Sequence, residues 1–198
     1  MKQLYQLIDG KTAILSTKKH SAVSDIIAVW TEADKAKDVS HSAILRADLL
    51  VTEARGDIKN PSVVNTPFAD IIGDSDLQYM YISIPKRQPD PIDVMLWCNY
   101  RVGRPYDFAN LGLIQFPKWI SWAINPFQQK TKQAEKRYIC SELANHCVRS
   151  LFEGCARIFS RKPIAYYSPA NMLDLQIGNP ELFDNYYCEP QNNILYKI

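Results

Sequence analysis

Residues 138–152 read Tyr138-Ile139-Cys140-Ser141-Glu142-Leu143-Ala144-Asn145-His146-Cys147-Val148-Arg149-Ser150-Leu151-Phe152. Cys140, Leu143, Ala144, Cys147, Val148 and Leu151 recur at helical spacing and form one apolar stripe. Gly154 follows as a C-cap, so the spacing predicts a helix from about Cys140 to Phe152. The first residue of that helix carries the chemical interest. A helix N-terminus presents unpaired N–H donors and roughly half a positive charge. Both favour thiolate over thiol, which makes a cysteine there a nucleophile near neutral pH. The same N–H groups can hold the oxyanion of a tetrahedral intermediate. Read by itself, however, Cys140 is first of all a core residue, on the stripe of Leu143 and Cys147 and of a type often buried.

Upstream of this helix the chain reads as strands. Ser24 to Trp30 is short, apolar and β-branched. Val39 to Leu45 alternates, with Val39, His41, Ala43 and Leu45 on one face. Asp48 to Arg55 follows, with Leu49, Val51 and Glu53 on one face, and Gly56-Asp57 punctuates it. Asn60 to Thr66 reads as a loop. Leu77 to Ile84 is dense in aromatic and β-branched residues, and Lys86 to Pro89 closes it. Asp90 then suits a helix cap and Pro91 a first helical position. Ile92, Met95, Leu96 and Asn99 fall near one face of that helix, and Gly103 marks its end. Leu111 to Asn125 is apolar and aromatic, with Trp119 and Trp122 three apart, and Gln128 to Lys136 reads as a polar loop. After the Cys140 helix, Tyr166-Tyr167 reads as strand. Ser168-Pro169 opens a short helix that Gly178 stops, and Ile194 to Ile198 reads as a last edge strand. No linker separates the halves. The expectation is one α+β domain over residues 1–198, an antiparallel sheet with helices packed against it.

Composition narrows the function. A chain of 198 residues, 46% hydrophobic and 22% charged, can bury a core without staples. Twenty-three basic against 21 acidic residues leave a net charge of +2. That balance argues against nucleic acid as a partner and against an acidic membrane surface. Five cysteines without a C-x-x-C pair, and only three histidines, point to neither a disulfide framework nor structural zinc. No metal or cofactor is expected. There is no Walker-type glycine loop, no G-x-S-x-G and no H-E-x-x-H. The opening MKQLYQLIDGK does not read as a signal peptide. The stretch from Phe108 to Gln129, broken by Lys118, Pro117 and Pro126, cannot span a bilayer. A cytoplasmic location is the expectation.

A cysteine nucleophile needs a base and a group to orient it. His41 is the best-placed base, mid-strand on an apolar-facing side, although there it also reads as a hydrogen-bonded core histidine. His20 follows two lysines and reads as a solvated loop. His146 lies six residues beyond Cys140, turned off its face. Glu53 lies beside His41 if the two strands pair, where its carboxylate would fix the tautomer and stabilise imidazolium. Otherwise it is an exposed edge-strand carboxylate. The turn Gly103-Arg104-Pro105-Tyr106-Asp107 offers the Tyr106 hydroxyl to an oxyanion or a substrate carbonyl, or simply a half-buried tyrosine.

Taken together, these residues resemble the circularly permuted branch of the NlpC-type papain-like cysteine hydrolases. That branch includes the YiiX- and YebB-like proteins and, more distantly, lecithin retinol acyltransferase. Ser24-Asp25-Ile26-Ile27 is similar to the family's G-D-I-I strand, with serine for glycine. Ser40-His41-Ser42-Ala43-Ile44 resembles its S-H-V-G-I strand, and Leu50 to Ala54 the acidic strand after it. Gly103 to Asp107 and Tyr138 to Leu143 resemble its G-x-P-Y turn and C-S-E-L helix start. Ser168-Pro169-Ala170 resembles a proline-led helix near the end of these domains. The match covers about residues 24–175.

The resemblance implies a circularly permuted papain-like α+β fold whose central helix starts at the catalytic cysteine. It implies Cys140 as nucleophile, His41 as base, Glu53 as orienting carboxylate and Tyr106 as a substrate or oxyanion ligand. It implies a peptide substrate of the cell-wall type. A lipid-acyl substrate, suggested by the acyltransferase branch, and a non-enzymatic module with virion components as partners are the alternatives. One departure stands out: Tyr106 and Cys140 are 34 residues apart, with an inserted segment over about 108–136. That segment either lines the substrate groove, with Trp119 and Trp122 at a membrane surface, or is a core helix and a loop.

Overall fold

A computed structural model describes residues 1–20, 39–56, 61–107, 138–160 and 167–198. The elements in chain order are α1 (Lys2–Ile8), β1 (Ala13–Lys19), β2 (His41–Leu45), β3 (Leu50–Arg55), β4 (Ser62–Pro67), α2 (Phe68–Ile72) and β5 (Leu77–Pro85). They continue with α3 (Pro91–Asn99), α4 (Cys140–Leu151), α5 (Ala156–Phe159), α6 (Pro169–Ile177), β6 (Phe183–Glu189) and β7 (Ile194–Lys197). The class is α+β. Seven strands form one sheet in the order β4-β3-β2-β1-β5-β6-β7, and every neighbouring pair is antiparallel. Among the described residues no helix is long and apolar enough to cross a membrane.

The period of two along each strand divides the core between two faces. Ile14, Ile44, Ala54 and Val63 point to one face and meet Val94 and Cys98 of α3, Leu143, Ala144, Cys147 and Val148 of α4, and Met172 of α6. Ala13, Leu15, Ala43, Leu45 and Val51 point to the other face and meet Leu4 and Ile8 of α1 and Phe68 and Ile71 of α2. The sheet is thus covered on both sides, with α4 laid across β2 and β3.

β2, β3, β5, α3, α4, α6 and the edge strand β7 stand where the sequence predicts them, within a few residues. Asp90 caps α3, its carboxylate accepting from the N–H groups of Ile92 and Asp93. Ser168 caps α6 by accepting from Asn171. The predicted strand at Ser24 to Trp30, the segment Leu111 to Asn125, the loop Gln128 to Lys136 and Tyr166 lie outside the described residues.

Several expectations are corrected. The predicted loop Asn60 to Thr66 contains β4, whose pairing runs from Leu50↔Pro67 to Arg55↔Ser62. Its flanking prolines suggest a loop but are tolerated because β4 is an edge strand. Tyr167 is in neither helix nor strand. The chain leaves α4 at Phe152, and Gly154, at φ +82, serves the turn after it rather than the cap. α3 ends at Asn99, and Gly103, at φ +81, reverses the chain one turn later. Its N–H then reaches Val63 O at 2.8 Å while Val63 N–H reaches Arg104 O at 2.9 Å. That reversal starts the tie between the 103–107 turn and β4, and the left-handed conformation is one that glycine adopts without strain.

The buried face of α3 also differs. Val94 and Cys98 turn inward, whereas Ile92 and Leu96 are 62% and 58% exposed. The sequence PIDVMLWCN is apolar around most of the helix, so its pattern does not single out the face that meets α4. The two faces separate in a stability measurement. Leu143→Ala, at a fully buried α4 position, is expected to lower unfolding free energy by about 3 kcal/mol. Leu96→Ala is expected to change it by less than about 0.5 kcal/mol. Urea unfolding of both variants checks this, and equal losses would contradict the packing described.

Candidate active site

His41 opens β2 opposite Thr17 of β1. On its other side β2 pairs with β3 through Ile44↔Thr52 and Leu45↔Val51. That pairing lays the start of β2 alongside the end of β3, which brings His41 within reach of Glu53. The side chains meet there, with His41 Nε2 and Glu53 Oε2 2.8 Å apart. Glu53 is buried, not an exposed edge carboxylate. Its other oxygen, Oε1, accepts from Arg55 Nε at 2.8 Å and from Thr66 Oγ1 at 2.9 Å. A buried carboxylate is tolerable only when bonded in this way.

Cys140 enters from the opposite element. It is the first residue of α4, and the Glu142 carboxylate accepts from the Ile139 N–H at 3.0 Å, which fixes the helix start. The Cys140 thiol is hydrogen bonded to the His41 side chain and receives the backbone N–H groups of Ser42 and Ser141. Because Glu53 occupies Nε2, the ring nitrogen left for Cys140 is Nδ1. The imidazole therefore bridges the carboxylate and the thiol. Cys140 is buried, and the His41 side chain keeps 23% of its surface open.

The electrostatics follow from that geometry. Burial alone pushes the Cys140 thiol up, but the His41 charge, its hydrogen bond and the N–H groups of Ser42 and Ser141 outweigh it. The thiol is held below its ordinary value. Burial pulls the His41 imidazole down, but Cys140 and Glu53 outweigh it, and the ring is held above the usual histidine range. Burial raises Glu53, and His41, Arg55 and Thr66 more than reverse this, down to about 2. Each shift runs in the direction that favours thiolate, imidazolium and carboxylate. Burial alone drives Cys155 up to about 11, and burial with the negative charge of Glu189 drives Cys188 up to about 11 despite the N-terminal charge. Cys98 is lowered too, chiefly by the hydrogen bond of the Cys147 thiol.

Tyr106 reaches the same place despite its distance in sequence. Its N–H donates to Pro61 O at 3.0 Å, Tyr138 N–H donates to Pro105 O, and Asp107 N–H donates to Tyr138 O, each at 3.1 Å. These bonds pin the 103–107 turn between β4 and the residues that lead into Cys140. Tyr106 is buried. Its phenol is driven well up by burial and by negative charge on Cys140, Glu142 and Asp107. It stays an O–H donor over the working pH range.

The structure therefore brings together Cys140, His41, Glu53 and Tyr106. His146 packs edge-on against the Tyr138 ring at 5.8 Å, and His20 bonds Gln78 at the far end of β1. Trp119 and Trp122 lie outside the described residues. Three contributors escape the sequence reading. Arg55 was findable, two residues beyond Glu53 on the same strand face. Thr66 depends on a strand read as a loop. The Ser42 N–H is a backbone group that no side-chain pattern reports. No family model, curated protein or solved structure matches the chain.

Glu53 gives a pH prediction with a definite sign. Its pKa is depressed in the fold, so its contribution is present above the unfolded value of 4.5 and is lost as pH falls toward 2. The full shift corresponds to roughly 3 kcal/mol. Glu53→Gln should be less stable than the parent at pH 7 by an amount of that order, with the difference shrinking as pH falls from about 4.5 toward 2. Urea midpoints of the two proteins across that range check it, and a pH-independent gap would contradict it.

Proposed function

We propose that this chain is a cysteine hydrolase that cleaves an amide bond through a thioacyl-enzyme at Cys140. The observation that carries the reading is the His41 ring, bonded to Glu53 on one side and to the Cys140 thiol at a helix start on the other. The chain order of His41, Glu53 and then Cys140, with the nucleophile helix after the sheet strands of base and carboxylate, supports a circularly permuted papain-like arrangement. The resemblance of the surrounding motifs supports a peptide of the cell-wall type as substrate.

The steps follow from the resting charges. The Cys140 thiolate adds to the substrate carbonyl carbon, and the developing oxyanion is met by N–H groups of the first α4 turn and by the Tyr106 hydroxyl. The His41 imidazolium gives its Nδ1 proton to the leaving amine as the C–N bond breaks, which leaves a thioester on Cys140 and a neutral imidazole. Water then loses a proton to His41 and adds to the thioester. The C–S bond breaks, releasing the carboxylic acid and restoring thiolate and imidazolium. Glu53 holds the ring in the tautomer this exchange needs and stabilises its charged form.

A second reading keeps this chemistry and changes the substrate to a lipid-acyl ester. Ile92, Leu96, Tyr100 and Val102 form an exposed apolar row on and just after α3, next to the turn that carries Tyr106. The peptide reading remains the primary one, because it requires no contact beyond the site.

Incubation with cell-wall peptides and with short-chain phospholipids, followed by mass spectrometry of products and intact protein, tests both. The expected result is amine release from the peptides and an acyl adduct on Cys140. Cys140→Ala should abolish turnover, and His41→Ala should lower it roughly 10²–10⁴-fold. Peptide hydrolysis that survives Cys140→Ala would overturn the proposal. Hydrolysis confined to the lipid esters would replace its substrate class.

A further inference from the structure

Buried polar side chains without a hydrogen-bond partner among the described residues gather on β1, β2 and the first turns of α4. Ser16 Oγ, Ser42 Oγ, Ser141 Oγ and both amide atoms of Asn145 are shielded from solvent and have no hydrogen-bond partner among the described residues. All four residues are 0% exposed. They are neighbours. Ser16 and Ser42 face each other across β1 and β2. By alternation they share the sheet face of Ile14 and Ile44, the face that α4 covers. Ser42 and Ser141 both direct their backbone N–H groups to the Cys140 sulfur. Ser141 and Asn145 are one helical turn apart on the same flank of α4. The polar seam continues toward α6, where Ser83 Oγ donates to Gln176 Oε1 at 2.8 Å and Gln176 Nε2 is unbonded.

Such a cluster calls for a ligand. Buried polar groups in folded proteins are nearly all bonded, to protein or to ordered water. A carboxamide carries two donors and two acceptor lone pairs, and each hydroxyl can donate and accept. The side chains here are short, uncharged and of mixed donor and acceptor character. They suit a molecule that makes roughly three hydrogen bonds and is small enough to lie between a helix and a sheet. A bound anion would call for a fixed cation and a metal ion for carboxylates or thiolates, neither of which is among the four.

We propose that ordered internal water bridges Asn145 to the hydroxyls of Ser141 and Ser42, and that Asn145 acts through this water as a positioning residue for Cys140. The second half rests on reading Cys140 as the nucleophile. The first half does not. The bridge ties the first turn of α4 to β2 at the two residues whose N–H groups converge on the sulfur. Without it the first turn of α4 meets β2 beside the site mainly through apolar packing, which has no directional preference. The thiolate then loses part of its stabilisation, and the thiol titrates higher.

Two measurements on the full chain test this. A crystal structure that resolves waters should show density within hydrogen-bond distance of the Asn145 amide and of the Ser141 and Ser42 hydroxyls. Alkylation of Cys140 by iodoacetamide, followed by peptide mass spectrometry as a function of pH, should show the second half. Asn145→Leu is expected to slow alkylation at pH 6 about tenfold, one unit of thiol pKa, while leaving the limiting rate at high pH unchanged. Ser141→Ala, a smaller change that guards against misfolding of the first variant, should act in the same direction. Protein density without such a water overturns the site. Density with an unchanged alkylation profile in both variants overturns the positioning role. If Cys140 of the unaltered protein alkylates as an ordinary thiol, the nucleophile reading falls instead, and the water site stands or falls on the density alone.

Discussion

The His41 imidazole, held by Glu53 through Nε2 and by the Cys140 thiol through its other nitrogen, ties the two halves of the molecule together. One end of this chain of bonds sits on β3, the middle on β2, and the far end on the first residue of α4. Each partner shifts the next in the direction that charges it. Glu53 is held ionised by His41, Arg55 and Thr66. The carboxylate and the thiolate together hold the ring protonated, against a burial that would discharge it. The thiolate is steadied in turn by the ring and by two backbone N–H groups. Each buried charge is tolerable only because the others are present.

That set depends on the sheet as much as on the helix. The β2–β3 pairs Ile44↔Thr52 and Leu45↔Val51 lie at the far end of β2. At its start, where β2 pairs with β1, the Ser42 N–H reaches the thiol. On the other side of Cys140, the turn at 103–107 is stitched both to β4 and to Tyr138. The stitching explains how a tyrosine 34 residues upstream takes its place near Cys140. Asp107 N–H bonds Tyr138 O and Tyr138 N–H bonds Pro105 O, which ties the two described ends together.

Much of this was legible in the sequence, and the physical reasons separate what was from what was not. α4 was readable because it is amphipathic, and α3 and α6 because Asp90, Pro91, Ser168 and Pro169 mark their starts. β5 was readable from composition. β1 was not predicted, because as the central strand it is buried on both faces. It carries Ser16, Thr17 and Lys18 where alternation would look for apolar residues. β4 was hidden by the prolines an edge strand tolerates, and β6 by mixed polar and aromatic residues. The site was legible in its side chains, since His41 and Glu53 needed only the guess that their strands pair. What it lacked in the sequence view were register-dependent partners, such as Thr66, and backbone donors, such as the Ser42 N–H. These arise from pairing and carry no local pattern.

The central claim is the charge state of His41, and nitrogen NMR of the imidazole reads it directly. In protein labelled at histidine nitrogen, His41 should appear as imidazolium at pH 7 and stay so well above the ordinary histidine pKa of about 6.5. In Cys140→Ala it should titrate at lower pH, because the thiolate that raises it has gone. A His41 ring that is neutral at pH 7, with a titration indifferent to Cys140, would contradict the account.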